Sequence, residues 1–197
     1  ELTLFSNIMK AGKRAIRLND EDEVMFVGLT SGSGEDEIFS ATRNGIAIRF
    51  SEKDVRSMGT GAAGVKGITL RDKDKIVGAA IINSEIDDDE IKILTITEEG
   101  YGKRTKLSEY RLTSRGGKGI INAKLNEKTG LIIDVKIVGS DDEIMLITSE
   151  GTLIRTKVDS ISTFGRSSQG VKIMKVRNNE KIVSTVKITE TSELGEK

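Results

Sequence analysis

Three glycines, Gly45, Gly100 and Gly151, each stand four residues before an arginine: Arg49, Arg104 and Arg155. A second set, Gly64, Gly119 and Gly170, follows the first at a constant offset of nineteen residues. The repeating unit is therefore 51 to 55 residues long and occurs three times. A period of that size restricts the chain to stacked or radial copies of one supersecondary unit, each burying its apolar face against its neighbour. Such arrays present an extended surface, so the natural partner is one that reads a surface.

Each unit reads as four short strands. In the first, Glu37-Ile-Phe-Ser-Ala41 is a strand and Asn44-Gly45 a hairpin turn signal. Gly45 to Phe50 is the second strand, Ser51-Glu-Lys-Asp54 a turn or short helical start, Gly64 to Leu70 the third strand and Lys75 to Ile82 the fourth. The second unit matches with Ile91–Thr97, Gly102–Leu107, Gly119–Leu125 and Leu131–Val138. The third matches with Glu143–Thr148, Thr152–Val158, Gly170–Val176 and Lys181–Ile188. Four strands in about 50 residues is the pattern of a propeller blade. Ahead of these units, Gly12–Leu18 and Val24–Leu29 align with a third and a fourth strand, so the chain is expected to begin in the middle of a unit whose upstream repeats are missing. The expected architecture is all-β: about three and a half four-stranded blades over residues 1–190. A partial blade occupies 1–36, full blades occupy 37–90, 91–142 and 143–190, and 191–197 form a disordered tail.

Composition narrows the chemistry. The chain has no cysteine and no histidine. That removes disulfides, thiolate nucleophiles, Ser-His-Asp catalysis and the usual zinc ligand sets. Proline is also absent, which suits a structure of many paired strands. No apolar run approaches the roughly 18 residues needed to span a bilayer. The start, Glu1-Leu-Thr-Leu4, lacks the basic and apolar zones of a signal peptide.

Net charge is zero, with 31 basic and 31 acidic residues. Their placement is uneven. Residues 10–18, 41–67, 100–119 and 151–172 hold nineteen of the basic residues and four of the acidic ones. If each unit sets these segments on the same edge, one rim is strongly positive. Arg49, Arg104 and Arg155 share one repeat position, and Lys66 and Lys172 share another. The second unit is richest, with Lys103, Arg104, Lys106, Arg111, Arg115 and Lys118. Lys13, Arg14, Arg56, Lys157 and Arg166 complete the candidate rim. Solvated surface charge is the ordinary reading of any one of these. A register-matched row instead suits a polyanion with a regular backbone, such as duplex DNA with one charge per ~1.7 Å of axis.

Other motifs carry less. Gly116-Gly-Lys-Gly119 is either a turn entering a strand or a backbone nest for a phosphate. Gly59 to Gly64 matches GxGxxG but leads into a strand, so it lacks the helix N-terminus of a dinucleotide site. The acidic runs Glu85–Glu90 and Asp141–Glu143 lack the calcium-loop spacing and read as solvated loops. Tyr101 and Tyr110 are the only tyrosines, and with aromatics at 4% single-strand base stacking fits poorly.

At these residues the chain resembles the C-terminal domain of the DNA gyrase A subunit. The resemblance is carried by Ala41–Gly59, Glu99-Gly-Tyr-Gly-Lys-Arg-Thr105, Glu109–Gly119, Gly151-Thr-Leu-Ile-Arg-Thr156 and Gly165–Val171, in order and over nearly the whole chain. It implies a six-bladed β-pinwheel that wraps duplex DNA on a basic outer rim. It also implies partners in the rest of the A subunit and in the B subunit, a bacterial cytoplasmic, nucleoid-associated location, and no membrane, metal or cofactor in this domain. The parent enzyme is ATP-dependent, with its catalytic residues elsewhere. The family's signature box, Gln-Arg-Arg-Gly-Gly-Lys-Gly, lies in its first blade. Thr113–Gly119 matches five of its seven positions from a late blade, so the box itself is expected upstream of Glu1. A topoisomerase IV A-subunit domain and a propeller-like protein-interaction scaffold are the alternative readings.

Overall fold

The computed structural model describes residues 2–71, 73–177 and 179–188. The expected tail at 191–197 lies outside the described residues. Eleven strands are formed among them: β1 (Glu37–Thr42), β2 (Ile46–Ser51), β3 (Ile76–Ile82), β4 (Lys92–Thr97), β5 (Tyr101–Lys106), β6 (Ile120–Ile121), β7 (Ile132–Val138), β8 (Glu143–Thr148), β9 (Leu153–Lys157), β10 (Val171–Lys172) and β11 (Ile182–Ile188). They make three antiparallel sheets, ordered β3-β1-β2-β6, β7-β4-β5-β10 and β11-β8-β9. The fold is an all-β pinwheel.

Each sheet is built around a hairpin. Gly45, Gly100 and Gly151 take φ of 88°, 79° and 80° at the turns, a left-handed conformation that costs a glycine nothing. Ser51 then caps a 3-10 turn, its hydroxyl accepting the Lys53 N–H at 3.2 Å. The fourth strand of each unit returns along the inner side. The inner strands β3, β7 and β11 stand next to one another. Together with Met25, Phe26, Gly28 and Leu29 they line a central cleft of about 650 Å³.

The third strand departs from the sequence reading. It is two residues long, and it joins the preceding unit's sheet rather than its own. Thus β6 of the second unit pairs with β2, as Ile120↔Ala47 and Ile121↔Ile46. Likewise β10 of the third unit pairs with β5, as Val171↔Gly102 and Lys172↔Tyr101. This exchange laces neighbouring units together. The third sheet has three strands among the described residues. Gly64–Leu70, expected as a strand, makes no ladder of its own.

Residues 12–18 and 24–29, also expected as strands, carry no strand pairing either. Their apolar side chains Val24, Met25, Val27 and Leu29 stay exposed. Residues 12–18 nevertheless occupy the repeat's position. The Arg17 N–H donates to the Ala62 C=O at 3.0 Å, as Thr69 does to Gly117 at 2.8 Å and Lys124 to Ser168 at 3.1 Å. These donors all stand five residues after the second glycine of their unit.

The core lies between the sheets. One cluster, including Phe39, Ile82, Ile93, Leu107, Tyr110 and Ile132, joins the first two units. Another, including Leu94, Ile96, Ile144, Leu146, Val158 and Ile182, joins the second and third. Alternation along β4 sends Ile93 to one cluster and its neighbour Leu94 to the other, as the period of two requires. Tyr110 stacks edge-on to Phe39 at 5.0 Å and donates its hydroxyl proton to Asn122 Oδ1 at 2.5 Å.

Candidate nucleic-acid interface

The fifteen candidate cations divide by what their side chains touch. Five are struts between units. Arg49, 7% exposed, pairs with Glu37 on its own hairpin and bidentately with Asp88, at 2.5 and 2.7 Å. It also donates to the Leu107 and Tyr110 C=O groups, at 3.4 and 3.2 Å, on the next unit's 3-10 turn. Burial opposes its charge, but the Asp88 and Glu37 hydrogen bonds outweigh that and hold the guanidinium more firmly protonated than usual. Arg104 repeats the reach one unit on, donating to Ile161 C=O at 2.5 Å and Asp159 C=O at 2.9 Å. Position 92, the counterpart of Glu37, is a lysine, so Arg104 has carbonyl partners only.

Arg115 and Arg166 form a second matched pair of struts. The Arg115 N–H donates to Asp54 Oδ2 at 3.3 Å, and its guanidinium to the Asp54 and Lys66 C=O groups at 2.7 and 3.1 Å. The Arg166 N–H donates to Glu109 Oε2 at 2.8 Å, and its guanidinium to the Ile121 C=O at 3.0 Å. Lys103 is the fifth. It is 1% exposed, and its Nζ donates to the Gly165 and Arg166 C=O groups at 2.9 and 2.6 Å.

Burial pushes the Lys103 ammonium down to about 8; Glu109 works against this and Arg166 adds to it. Its ordinary value is 10.5. Between those values the unfolded chain holds a proton that the folded chain has released, so this group makes stability rise with pH across that window. The expected result is that the unfolding free energy of the wild type, relative to Lys103→Met, gains about 1–3 kcal/mol from pH 7.5 to pH 10.5. Urea unfolding of both proteins at the two pH values measures it. A constant difference would mean that Lys103 keeps its charge throughout.

The remaining ten candidates leave charge at the surface. Arg14, Arg56, Lys66, Arg111, Lys118 and Lys157 are exposed. No side-chain hydrogen bond or ion pair forms on these six among the described residues. Four are loosely engaged. Lys106 lies 3.4 Å from Asp89, both exposed. Arg155 pairs with Glu143. Lys13 reaches the Leu4 C=O. Lys172 donates to the Glu99 C=O at 3.0 Å and sits over the Tyr101 ring at 4.5 Å.

Arg111 and Lys118 flank one cleft of about 350 Å³, with Thr113, Ser114, Gly117 and Gly119 between them. Its loop is pinned from behind. Gly116 N–H donates to Gly67 C=O at 2.6 Å, Thr69 Oγ1 to Gly116 C=O at 2.7 Å, and Thr113 N–H to Arg49 C=O at 2.9 Å. The Gly116 N–H is therefore spent inside the fold, and the side chains of Arg111 and Lys118 supply the positive charge. A cleft with two unpaired cations on a fixed loop can hold a phosphodiester without ordering cost to the loop.

One set of cations escaped the sequence reading. Arg17, Lys124 and Lys175 stand five residues after Gly12, Gly119 and Gly170, and all are exposed. The same offset from the second glycine would have found them, but Thr69 interrupts the row in the first unit. Among the described residues no helix is long and apolar enough to cross a membrane, and no group of three or more carboxylates is placed to hold a metal ion.

The matching family is described as DNA gyrase C-terminal domain, beta-propeller, and it aligns with residues 2–31, 36–83, 92–139 and 142–189. The chain belongs to that family. It is 43% identical over 189 residues to the A subunit of DNA gyrase from Staphylococcus epidermidis, covering 96% of this chain and 21% of the relative. It is 42% identical to the corresponding gyrase protein of Escherichia coli K12 over the same shares. The chain thus spans about a fifth of the length of these relatives. Among solved structures, the C-terminal domain of DNA topoisomerase IV superposes with a TM-score of 0.86 at 29% identity, covering 95% of this chain and 57% of that one. The DNA gyrase A C-terminal domain gives 0.77 at 29% identity, covering 91% and 59%.

Proposed function

We propose that this chain binds and bends duplex DNA without catalysis and with little sequence preference. It would act as the C-terminal part of a gyrase A subunit, supporting negative supercoiling driven by ATP in the whole enzyme. The remainder of the A subunit and the B subunit are then its partners, in a bacterial cytoplasm, and the strand-cleaving residues lie outside this chain. One observation carries the reading: cations recur at fixed repeat positions and stay unpaired after the fold has used the others as struts. Arg14 with Lys66, Arg56 with Arg111, and the row Arg17, Lys124 and Lys175 form that DNA-facing set, with Lys118 and Lys157 beside them. The C-terminal domain of a topoisomerase IV A subunit is the second reading, favoured by the 0.86 superposition.

Bending a site of 20–30 base pairs by 40–90° costs on the order of 1–6 kcal/mol, so contacts must be spread over several units. Affinity for a mixed-sequence duplex of about 40 base pairs should fall with salt at a log–log slope near −0.9 per phosphate contacted. Arg111→Glu with Lys118→Glu should lower affinity about tenfold or more for every sequence alike and reduce that slope by about 2. Fluorescence anisotropy across a salt series measures both. A flat salt dependence would favour a protein-interaction scaffold instead.

A further inference from the structure

We propose that each seam between neighbouring third segments holds one DNA phosphate through a single cation, supplied from whichever side of the seam carries it. This rests on the DNA-binding reading and adds to it a rule of one charge per seam. The seam is a repeated construction. The Arg17 N–H donates to the Ala62 C=O, the Thr69 N–H to the Gly117 C=O and the Lys124 N–H to the Ser168 C=O. In each case the residue after the acceptor stands immediately before the next unit's second glycine. The seams therefore bring Arg17 up to Ala63, Thr69 up to Lys118 and Lys124 up to Gln169. Each of these three seams has one cation, and the side that supplies it changes. In the sequence the row of Arg17 and Lys124 breaks at Thr69. In space it continues, because Lys118 stands across the seam from the break.

Arg17, Lys118 and Lys124 are all exposed, and none makes an ion pair or a side-chain hydrogen bond among the described residues. Their neutral partners are engaged in the fold or too short to reach out. Thr69 Oγ1 donates to the Gly116 C=O at 2.7 Å. Gln169 Oε1 accepts from Asn126 Nδ2 at 2.8 Å. Ala63 offers only a methyl. The seam with the transposed charge is also the most firmly tied: the Gly116 N–H donates to the Gly67 C=O at 2.6 Å and the Arg115 guanidinium to the Lys66 C=O at 3.1 Å. Two cations facing each other across a seam would repel, and a phosphodiester carries one negative charge, so one cation per seam balances one phosphate. A cation on a backbone-bonded seam is positioned before the duplex arrives, and only its own side chain is ordered on binding. A seam at every repeat then meets a polyanion whose backbone is itself regular.

Fluorescence anisotropy of the 197-residue chain with a mixed-sequence duplex of about 40 base pairs, over a salt series, tests the rule. Lys118→Gln should lower affinity about three- to tenfold near about 0.1 M salt and reduce the log–log slope by about 0.9. Adding Thr69→Lys should restore both, because the charge returns to the same seam from its other side. Adding Ser84→Lys instead, on the exposed loop between β3 and β4, gives the same net charge and should restore neither. Lys124→Gln rescued by Gln169→Lys is the mirror experiment at the next seam. It carries the test if circular dichroism shows that Thr69→Lys, which gives up the hydroxyl bond to Gly116, does not fold. A steep wild-type slope that Lys118→Gln and Lys124→Gln leave unchanged overturns the rule and leaves the DNA-binding reading standing. Equal rescue by Ser84→Lys, or a folded transposed variant that fails to recover, does the same. A wild type that does not bind, or binds with no dependence on salt, overturns the rule and the reading together.

Discussion

Arg49→Ala is expected to cost about 3–5 kcal/mol of stability, the range for breaking a buried ion pair. The loss follows from what remains. Glu37 and Asp88 would face each other with no cation between them, and the Leu107 and Tyr110 carbonyls would lose a donor at the joint between two units. The matched positions supply the controls. Arg104 reaches the next unit by two hydrogen bonds to carbonyls, so Arg104→Ala should cost about 1–3 kcal/mol. Arg155 makes an exposed ion pair with Glu143, so Arg155→Ala should cost at most about 1 kcal/mol. Urea unfolding of the three variants gives the order directly. Three equal and small losses, with DNA affinity falling instead, would mean that this arginine row faces the duplex and that the contacts to the next unit carry no energy.

That series also separates what the sequence makes legible from what it hides. The hairpins and inner strands were readable because their signals are local. Asn44-Gly45 is a turn whatever surrounds it, and Ile132–Val138 has the apolar content of a buried strand. The exchange of the third strand was not readable. Gly119-Ile-Ile121 carries the same pattern whether it pairs within its own unit or with the one before, and only the tertiary register decides. The same limit applied to the cations. Recurrence marks a position as important to the repeat, but a strut between units recurs as faithfully as a contact to a polymer. Glu37, diagonal to Arg49 on the hairpin partner strand and two places from its direct partner Phe39, was the available clue, since an acid at the diagonal position from a recurring arginine argues for pairing. Residues 12–18 kept the register of a third strand without its pairing. Periodicity overstated the secondary structure there.

Gly170→Ala tests the exchange itself and is expected to cost about 3 kcal/mol or more. Two terms add. A left-handed backbone at alanine costs roughly 1–2 kcal/mol. The new methyl would also lie 2.5 Å from the Gly102 carbonyl oxygen and 3.2 Å from Lys103 Cβ, with backbone on the near side that cannot swing away. Relief requires β10 to lift from β5. That loosens the Ile173 and Met174 N–H bonds to the Gly100 C=O, at 2.8 and 3.2 Å, and uncovers Met174 from the second core. Gly12→Ala isolates the first term, because Gly12 has the same φ of 79° and open space around it. Measured at a few micromolar, it should cost about 1 kcal/mol. In an array where each unit leans only on its neighbours, lifting β10 should also release the third unit ahead of the other two. Urea unfolding of Gly170→Ala is therefore expected to show two transitions where Gly12→Ala shows one. Equal losses and a single transition in both variants would mean that the close approach of Gly170 to β5 carries no energy and that the units are joined through their apolar cores alone.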